Sequence, residues 1–353
     1  MQQRQLNVPG YAKVVHFEEE ASGLSAIISV HDATLGPGLG GCRCRAYDSF
    51  EDALEDVKRL SKGMSYKNAL GGIPFGGGKS VIIADPKTDK TPELMQAYGR
   101  AVAAMDGLYI GAQDSGITVG DLREARKSTP NIVGFPNEKG EGGDPSPYTA
   151  YGVWQGIKAA IKKQFGSDSL DGKRIAILGL GSVGMGLAQH LHEEGAIIIA
   201  ADINEKALEE ARERFHAEII APEDAIAADA DVFAPCALGG SINQDSLGRL
   251  KAKIVAGAAN NQLLTPDMGE ALHQRGILYA PDFVINAGGV ISVAREWTGQ
   301  WDGDELRGTL THIGDTLSNI FERSEKENRP TADIANQLAE EIIAKARNLS
   351  AAE

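Results

Sequence analysis

The segment that decides the fold is Arg174-Ile175-Ala176-Ile177-Leu178-Gly179-Leu180-Gly181-Ser182-Val183-Gly184. Its first five residues are typical of a buried strand, and its glycines are spaced Gly-x-Gly-x-x-Gly. A helix is predicted to begin at Ser182, directly after this turn. A strand, a glycine turn and a helix in this order form the dinucleotide-binding unit of a Rossmann domain.

Each glycine of this turn has an expected role. Gly179 permits the tight turn, Gly181 lets a pyrophosphate approach the backbone, and Gly184 lets the helix pack closely on the strand. Free N–H groups at the helix N-terminus then face the phosphates. Because such motifs also occur by chance, another nucleotide or sugar-nucleotide protein is the alternative at this point.

Asp202 indicates which dinucleotide binds. It ends the next predicted strand, where a carboxylate bonds to the adenosine ribose hydroxyls and repels a 2′-phosphate. The residues that follow it supply no arginine for such a phosphate, although Lys206 is near. We therefore expect NAD rather than NADP as the cofactor.

Alternating strands and helices continue along the chain. Downstream, the predicted strands are Ala196–Ala201, Val232–Ala234, Ile254–Ala256 and Ile277–Tyr279, and the predicted helices are Val183–Glu194 and Glu205–Phe215. Upstream, the predicted strands are Ala26–Val30, Val81–Ala84 and Leu108–Ile110, and the predicted helices are Ser49–Lys62, Thr91–Met105 and Thr149–Phe165. This alternation predicts an α/β fold with a mostly parallel sheet that is covered on both faces.

The glycine- and proline-rich stretch Asn137–Pro147 predicts a loop or hinge between two domains. A length of 353 residues also suggests about two domains. The expected first domain spans residues 1–137 and the Rossmann domain residues 138–330. A last helix, residues 331–353, is expected to pack back on the first domain.

Two lysines, Lys67 and Lys79, flank a glycine-dense segment that contains no acidic residue. Desolvation and a second nearby cation both lower the pKa of a lysine, so one of them can act as a general base while the other holds an anion. The alternative is that Gly76-Gly77-Gly78 forms a tight turn and both lysines reach solvent.

Composition excludes several classes of protein. A net charge of −14 argues against a nucleic-acid surface. No apolar run approaches the ~20 residues that span a bilayer, and the N-terminus lacks a signal-peptide core. The three cysteines, Cys42, Cys44 and Cys236, include no Cys-x-x-Cys pair, and Cys42 and Cys44 would point to opposite faces if they lie on a strand. We expect no metal site, no disulfide and a cytoplasmic location.

Several further motifs identify a family. They are His31–Gly41, Gly63–Ser80, Ala112–Asp114, Asp144–Val153, Ala234–Gly239, Gly257–Gln262 and Ala280–Gly289. Over nearly its whole length the chain resembles the amino-acid dehydrogenases of the glutamate/leucine/phenylalanine/valine group, and within that group the leucine dehydrogenases.

The resemblance implies an N-terminal α/β domain for substrate binding and oligomerisation, a Rossmann-type NAD domain after it, and an active site in the cleft between them. It implies that an L-amino acid, NAD⁺ and water give a 2-oxo acid, ammonium and NADH. The implied partners are therefore these small molecules and further copies of the chain, with neither nucleic acid nor membrane.

The resemblance also assigns roles residue by residue. Lys67 binds the substrate carboxylate, Lys79 is the general base that activates water against the iminium, and Asp114 handles protons at the amino group. Further implied substrate contacts are Leu39, Gly40, Gly41, Ala112, Asn260, Asn261, Val290 and Val293. Implied coenzyme contacts are Thr149, Gly179, Gly181, Ser182, Val183, Gly184, Asp202, Ile203, Cys236, Ala237 and Asn260.

The implied side-chain pocket (Leu39, Ala112, Val290 and Val293) is apolar and offers no cation. A glutamate carboxylate buried there would lack a partner, so branched-chain substrates (leucine, valine, isoleucine) are expected. The chain departs from the leucine dehydrogenase pattern at Cys42-Arg43-Cys44-Arg45, where a Thr-Arg-Met-Trp run is usual. If that strand lies beside the pocket, phenylalanine, valine or tryptophan is the alternative substrate. A catalytically silent NAD-binding regulator is the remote alternative, against which Lys67, Lys79 and Asp114 argue.

Overall fold

The computed structural model describes residues 1–136, 143–299 and 302–350, which form two compact units. Unit 1 comprises the described residues of Met1–Asp144, Val290–Trp301 and Ala339–Glu353. Unit 2 comprises those of Pro145–Gly289 and Asp302–Leu338. The boundary expected at residues 137 and 138 lies outside the described residues. The sequence-based division placed residues 290–299 in the Rossmann domain, whereas here they are grouped with unit 1.

Unit 1 is built on a six-stranded mixed sheet. Its strands are β1 (Gln2–Leu6), β2 (Lys13–Glu19), β3 (Leu24–Asp32), β4 (Gly38–Arg45), β5 (Gly76–Ile83) and β6 (Tyr109–Gln113). Its first helices are α1 (Phe50–Leu70), α2 (Pro92–Ala103) and α3 (Val119–Arg126), with a 3-10 turn at Glu20–Ser22. The strand order is β1-β2-β3-β5-β4-β6. The strand β4 pairs in parallel with both β5 and β6, so the three carry their carboxyl ends to the same edge.

The helix starts in unit 1 follow the sequence. The Ser49 hydroxyl accepts a hydrogen bond from the Asp52 N–H, and that of Thr91 accepts one from the Leu94 N–H ahead of Pro92. The end of α1 was predicted too early, because the helix continues past Lys62 to Leu70. Its last turns are buried, and that packing outweighs the cost of about 1 kcal/mol for a glycine in a helix.

The glycine run between the two lysines is not a tight turn. Gly76, Gly77 and Gly78 are the first residues of β5 and are buried. A Cβ on Gly77 would lie 2.1 Å from the Ser65 nitrogen of α1, so the helix packs directly on the strand backbone. The strand was predicted to start only at Val81, because glycine has low strand propensity.

The cysteines of β4 share one face. Cys42 and Cys44 are both buried in the core that packs against α2, with Tyr98 and Met95. The expectation of opposite faces was wrong, since residues two apart on a strand point to the same side. The other side of β4 therefore carries Gly41 and Arg43.

Unit 2 is built on a six-stranded sheet in which every pairing is parallel. Its strands are β7 (Arg174–Leu178), β8 (Ile197–Ala201), β9 (Glu218–Ile219), β10 (Val232–Pro235), β11 (Ile254–Val255) and β12 (Leu278–Tyr279). The order β12-β11-β10-β7-β8-β9 is the Rossmann order read from one edge, with its switch point between β7 and β10. The predicted α/β class with a parallel sheet is confirmed.

Helices connect and cover these strands. In chain order they are α4 (Ser146–Phe165), α5 (Ser182–Glu193), α6 (Glu205–Phe215), α7 (Gln244–Arg249), α8 (Asp267–Gln274), α9 (Asp282–Ile285), α10 (Gly288–Thr298), α11 (Gly303–Glu327) and α12 (Thr331–Ser350), with a 3-10 helix at Pro222–Ala227. From Ala339 onward, α12 belongs to unit 1. There Glu340 accepts a hydrogen bond from Tyr66 at 2.5 Å, and Arg347 lies 2.6 Å from Asp32.

None of the helices in the described part of the chain has both the length and the apolar character needed to cross a membrane. Within the same residues no three His, Cys, Asp or Glu side chains come together as metal ligands would.

Candidate functional site

The glycine turn after β7 has a different physical constraint at each glycine. Gly179 has φ +105°, a conformation that side-chain-bearing residues avoid. A Cβ on Gly184 would lie 2.0 Å from the Gly179 carbonyl oxygen, so this glycine serves close packing. A Cβ on Gly181 would meet nothing within 4 Å. The fold itself therefore does not require a glycine at this position, and the open space beside it is available to a ligand.

The start of α5 is arranged to bind an anion. Gly181 occupies its N-cap position without a side-chain hydrogen bond to the first turn, and Ser182 and Val183 follow in the helix. Backbone N–H groups at such a start lack intrahelical partners, and the helix dipole places partial positive charge there. The arrangement has the donors that a pyrophosphate requires.

Asp202 lies directly after β8 and holds the turn in place. Its Oδ2 accepts a hydrogen bond from the Leu180 N–H at 2.5 Å, and its Oδ1 accepts one from the Asn204 N–H at 2.8 Å. Ile203, between them, is 93% exposed. The carboxylate is thus anchored beside the glycine turn, and an apolar side chain stands in solvent next to it.

The switch point brings the end of β10 to the same turn. A Cβ on Gly179 would lie 2.8 Å from the Ala237 nitrogen, which places Cys236 and Ala237 against the glycines. Thr149 lies on α4, where its hydroxyl donates to the Pro145 carbonyl oxygen at 3.0 Å. Among the coenzyme residues implied by the resemblance, the structure therefore brings Gly179 and Gly184, after β7, close to Cys236 and Ala237, after β10.

Asn260 and Asn261 lie in a loop that is fixed from within unit 2. Asn261 has φ +52°, in the left-handed region that asparagine tolerates. The buried Asn286 amide donates to Asn260 Oδ1 at 2.8 Å and to the Ala258 carbonyl oxygen at 3.0 Å. Asn260 itself is exposed, and the hydrogen bond from Asn286 fixes its side chain.

In unit 1, the candidate catalytic residues converge on one face of the sheet. Lys79 lies on β5, Asp114 directly follows β6, and β4 runs between these two strands. Lys79 is buried, and its Nζ lies 2.6 Å from Asp114 Oδ2. This contact is an ion pair held by charge, without the angles of a well-aligned hydrogen bond.

Asp114 corrects the sequence argument about Lys79. The segment around the lysines contains no acid, yet parallel pairing of β4 with β5 and β6 brings Asp114 to Lys79 from more than thirty residues further along the chain. The premise of a lysine without a counter-ion therefore holds along the sequence and fails in the fold.

Arg43 is a member of this cluster that sequence reasoning missed. Its Nη2 lies 3.3 Å from Asp114 Oδ2, and its Nη1 donates to Asp56 Oδ2 of α1 at 2.9 Å. Burial would raise the pKa of Asp114, but Lys79 and Arg43 together outweigh it and hold that pKa below its ordinary value. The only sequence signal was the position of Arg43 two residues after Gly41, and it was hidden because β4 was not predicted.

Lys67 lies in the last turn of α1 and is half-buried. The next residue, Asn68, is fully buried, and its amide donates to the carbonyl oxygens of Leu39 at 3.2 Å and Gly76 at 2.7 Å. This side chain joins the end of α1 to β4 and β5, so it fixes the turn that carries Lys67. Asn68 was also missed from the sequence.

Gly40 and Gly41 are required by the packing of the sheet itself. A Cβ on Gly40 would lie 1.9 Å from the Gly78 carbonyl oxygen, and one on Gly41 would lie 2.5 Å from that of Gln113 and 2.8 Å from Asp114 Cβ. The absence of side chains here lets the three strands approach and brings Asp114 over β4. This reason was not anticipated, and it is independent of any substrate.

The apolar residues expected around the substrate side chain all belong to unit 1. Leu39 is fully buried on β4, Ala112 is 9% exposed on β6, and Val290 and Val293 lie on α10. The first turns of α10 also place Ile291 beside Gly71, at the end of α1.

Cys44 does not belong to this group. It is buried on the α2 side of β4, where its thiol donates to the Ala84 carbonyl oxygen at 3.5 Å. Arg45 is exposed and lies over the Tyr47 ring. The replacement of the usual Met by Cys44 therefore does not alter the face that carries Lys79. Arg45, two residues after Arg43, is on the Lys79 side of β4 but is the last, exposed residue of the strand.

Comparison with known proteins adds independent findings. Residues 11–129 match the model of the Glu/Leu/Phe/Val dehydrogenase dimerisation domain, and residues 140–204 and 201–350 match that of the glutamate/leucine/phenylalanine/valine dehydrogenases. The chain is 47% identical to leucine dehydrogenase from Geobacillus stearothermophilus, over 94% of this chain and 90% of that one.

Two further similarities cover the whole fold. Phenylalanine dehydrogenase from Bacillus thermotolerans is 44% identical over 94% of this chain and 88% of its own. The crystal structure of L-tryptophan dehydrogenase from Nostoc punctiforme has a TM-score of 0.86 and 41% identity, and the match covers 96% of this chain and 97% of that one.

Proposed function

Because the chain belongs to the Glu/Leu/Phe/Val dehydrogenase family and is an amino-acid dehydrogenase, we propose that it deaminates branched-chain L-amino acids with NAD. In this reversible reaction leucine, valine or isoleucine is oxidised to its 2-oxo acid, and ammonium is released. The family establishes a nicotinamide coenzyme, and its identity as NAD is part of the proposal.

Three features of unit 2 support NAD. The open space at Gly181 and the free N–H groups of α5 fit a pyrophosphate. The Asp202 carboxylate stands where ribose hydroxyls bind in a Rossmann domain and would repel a 2′-phosphate. When bound, the coenzyme accepts the hydride from the substrate α-carbon.

The chain's own residues then manage protons and charge. We assign Lys67 to the substrate carboxylate, since an ammonium on a fixed helix end is a point charge suited to an anion. In its neutral form, Lys79 takes a proton from the water that attacks the iminium carbon, and Asp114, 2.6 Å away, exchanges protons with the amino group. Lys79 is buried and the Asp114 side chain is only 20% exposed, which limits the access of bulk water to this exchange.

The observation that carries the choice of substrate is the apolar character of the four residues assigned to the side-chain pocket, all of which lie in unit 1. Leu39, Ala112, Val290 and Val293 are apolar and buried or half-buried. Arg43 is held between two carboxylates and is not available to a third. A glutamate side chain would therefore be desolvated without a partner, whereas a branched aliphatic side chain loses nothing by burial.

An aromatic substrate is the second candidate. The similarity to the L-tryptophan dehydrogenase from Nostoc punctiforme and the small Ala112 favour it. Of the Met-Trp replacement that had argued for it, Cys44 lies on the opposite face of β4, whereas Arg45 lies on the Lys79 side at the exposed end of the strand.

We also propose that unit 1 holds the substrate chemistry and unit 2 the coenzyme. All three candidate catalytic residues lie in unit 1, and the glycine turn lies in unit 2. The match of residues 11–129 to a dimerisation domain supports a homo-oligomer.

The test is a panel of L-amino acids with NAD⁺, with kcat/KM measured from NADH formation under one condition. Leucine, valine and isoleucine should differ modestly, because each buried methylene contributes about 0.8 kcal/mol. Glutamate should be poorer by roughly a thousandfold, the factor that ~4 kcal/mol gives. If phenylalanine or tryptophan is the best substrate, it replaces the branched-chain assignment. If glutamate is the best substrate, the argument from the apolar side-chain pocket is overturned.

A further inference from the structure

The Lys79–Asp114 pair belongs to a chain of ion pairs, here called the relay, that continues through Arg43 to Asp56 on α1. Arg43 from β4 contacts Asp114 with one guanidinium nitrogen and Asp56 with the other. The Asp56 carboxylate also accepts hydrogen bonds from the Tyr47 hydroxyl at 2.8 Å and from Arg59 at 2.8 Å. The relay thus runs from the outside of α1 to the buried ammonium of Lys79.

The position of Arg43 is costly unless both of its partners are present. Only 18% of its side chain is exposed, and its Nε is buried without a hydrogen-bond partner. Burial opposes its charge, but Asp114 and Asp56 outweigh that effect and hold the pKa of Arg43 above its ordinary value. A simple packing role would not require a guanidinium here, since an apolar residue of similar volume avoids the desolvation cost.

Resting on the proposed function, we propose that Arg43 is a positioning residue of the reaction. It fixes the Asp114 carboxylate over β4 and draws part of that carboxylate's charge away from Lys79, so that Lys79 can release its proton during turnover. Asp56 sets how strongly Arg43 acts, because it binds the other end of the same guanidinium.

The direction of the effect follows from charge alone. The charged groups that the structure places against Asp114 are Lys79 from β5 and Arg43 from β4; Asp56, Arg59 and Tyr47 contact the far end of Arg43. Removing a nearby cation makes proton release harder for either Lys79 or Asp114, whichever limits the rate. Removing the Asp56 charge leaves Arg43 less neutralised and makes proton release easier.

The experiment measures the pH at the midpoint of the acid limb of kcat/KM for oxidative deamination of L-leucine. Arg43→Gln should move this midpoint upward by roughly one pH unit or more, as expected for a charge removed at such a distance. Asp56→Asn should move it downward by about half a unit. Arg43→Lys keeps the charge but cannot bridge two carboxylates, so its midpoint should stay near that of the unmodified enzyme while kcat falls.

Arg59→Gln is the matched control. Arg59 forms an ion pair with the same Asp56 at 2.8 Å, but its side chain is 55% exposed. Because solvent screens its charge, the Arg59→Gln substitution should leave the midpoint unchanged. Thermal unfolding of each variant identifies those that are folded. A folded Arg43→Gln enzyme with an unmoved midpoint overturns the proposal. If Arg43→Gln does not fold, an upward or absent shift in Asp56→Asn overturns it instead.

A second measurement separates this proposal from the proposed function. Trace labelling with acetic anhydride, followed by peptide mass spectrometry, gives the pH at which the Lys79 amine becomes half reactive without any turnover. That pH should rise in Arg43→Gln and not in Arg59→Gln. If no branched-chain amino acid is oxidised but the labelling shifts as described, the proposed function fails and the role of Arg43 stands. If deamination occurs and the labelling does not shift, the role of Arg43 fails alone.

Discussion

Two glycine-to-alanine substitutions in the same turn should affect different properties: Gly184→Ala should lower stability, and Gly181→Ala should weaken coenzyme binding. In Gly184→Ala the new methyl carbon would lie 2.0 Å from the Gly179 carbonyl oxygen and 3.0 Å from its carbon. The helix α5 must then move away from the turn by on the order of 1 Å. Overpacking of this kind costs about 1–3 kcal/mol, partly offset by ~1 kcal/mol from the better helix propensity of alanine.

In Gly181→Ala the methyl group meets no atom within 4 Å, and φ −66°, ψ −172° is open to alanine. The stability change should stay within about 0.5 kcal/mol. The methyl group occupies the space left for the pyrophosphate, so NADH should bind at least about tenfold more weakly, which is ~1.4 kcal/mol.

Two measurements distinguish the variants. Thermal unfolding should show Gly181→Ala near the unmodified protein and Gly184→Ala lower by a few degrees, since ~1 kcal/mol shifts Tm by about 2–4 °C in a domain of this size. Fluorescence titration with NADH should show the loss of affinity in Gly181→Ala at full stability. If Gly181→Ala binds NADH as tightly as the unmodified protein, the open space is not a phosphate site and the reasoning is refuted.

Two other substitutions test the assigned roles. Lys79→Ala should lower kcat by about 10²–10⁴-fold with NADH affinity retained, because the glycine turn lies in unit 2. Near-normal deamination by Lys79→Ala contradicts the base assignment. Lys67→Ala should mainly raise KM for the amino acid. Asp202→Ala should narrow the preference for NAD⁺ over NADP⁺, mainly through a roughly tenfold lower kcat/KM with NAD⁺. It should also lower Tm, because the Leu180 and Asn204 N–H groups lose their acceptor. Equal kcat/KM for both coenzymes in the unmodified protein contradicts the role of Asp202.

Local sequence was sufficient for most strands of unit 2 and for α4, α5 and α6, but it did not predict β9 or the helices α7, α8, α9 and α11. The strand Arg174–Leu178 and the helix Glu205–Phe215 lie where their patterns predict, and β8, β10, β11 and β12 lie within a residue or two of theirs. Parallel strands covered on both faces are apolar throughout, and the turns between them need glycine or a capping residue. These signals are encoded within a few residues of the element that they predict.

Unit 1 was harder to predict from the sequence because its central strands are rich in glycine. The strand β4 begins Gly-Leu-Gly-Gly and β5 begins Gly-Gly-Gly, and both were obscured because glycine carries no periodic pattern. Their glycines are explained by contacts with residues distant in sequence, such as Gly77 against Ser65 and Gly41 against Asp114. No local pattern reports a close approach of two backbones.

The candidate chemistry divides in the same way. The sequence by itself determined that Lys67, Lys79 and Asp114 are present in the motifs of a known family, and that a Gly-x-Gly-x-x-Gly turn follows β7. Only the tertiary structure decided that Asp114 pairs with Lys79, that Arg43 joins them to Asp56, and that Cys44 faces away. The physical reason is that an ion pair depends on distance in space, and the pairing of β5, β4 and β6 sets that distance between residues far apart in the chain.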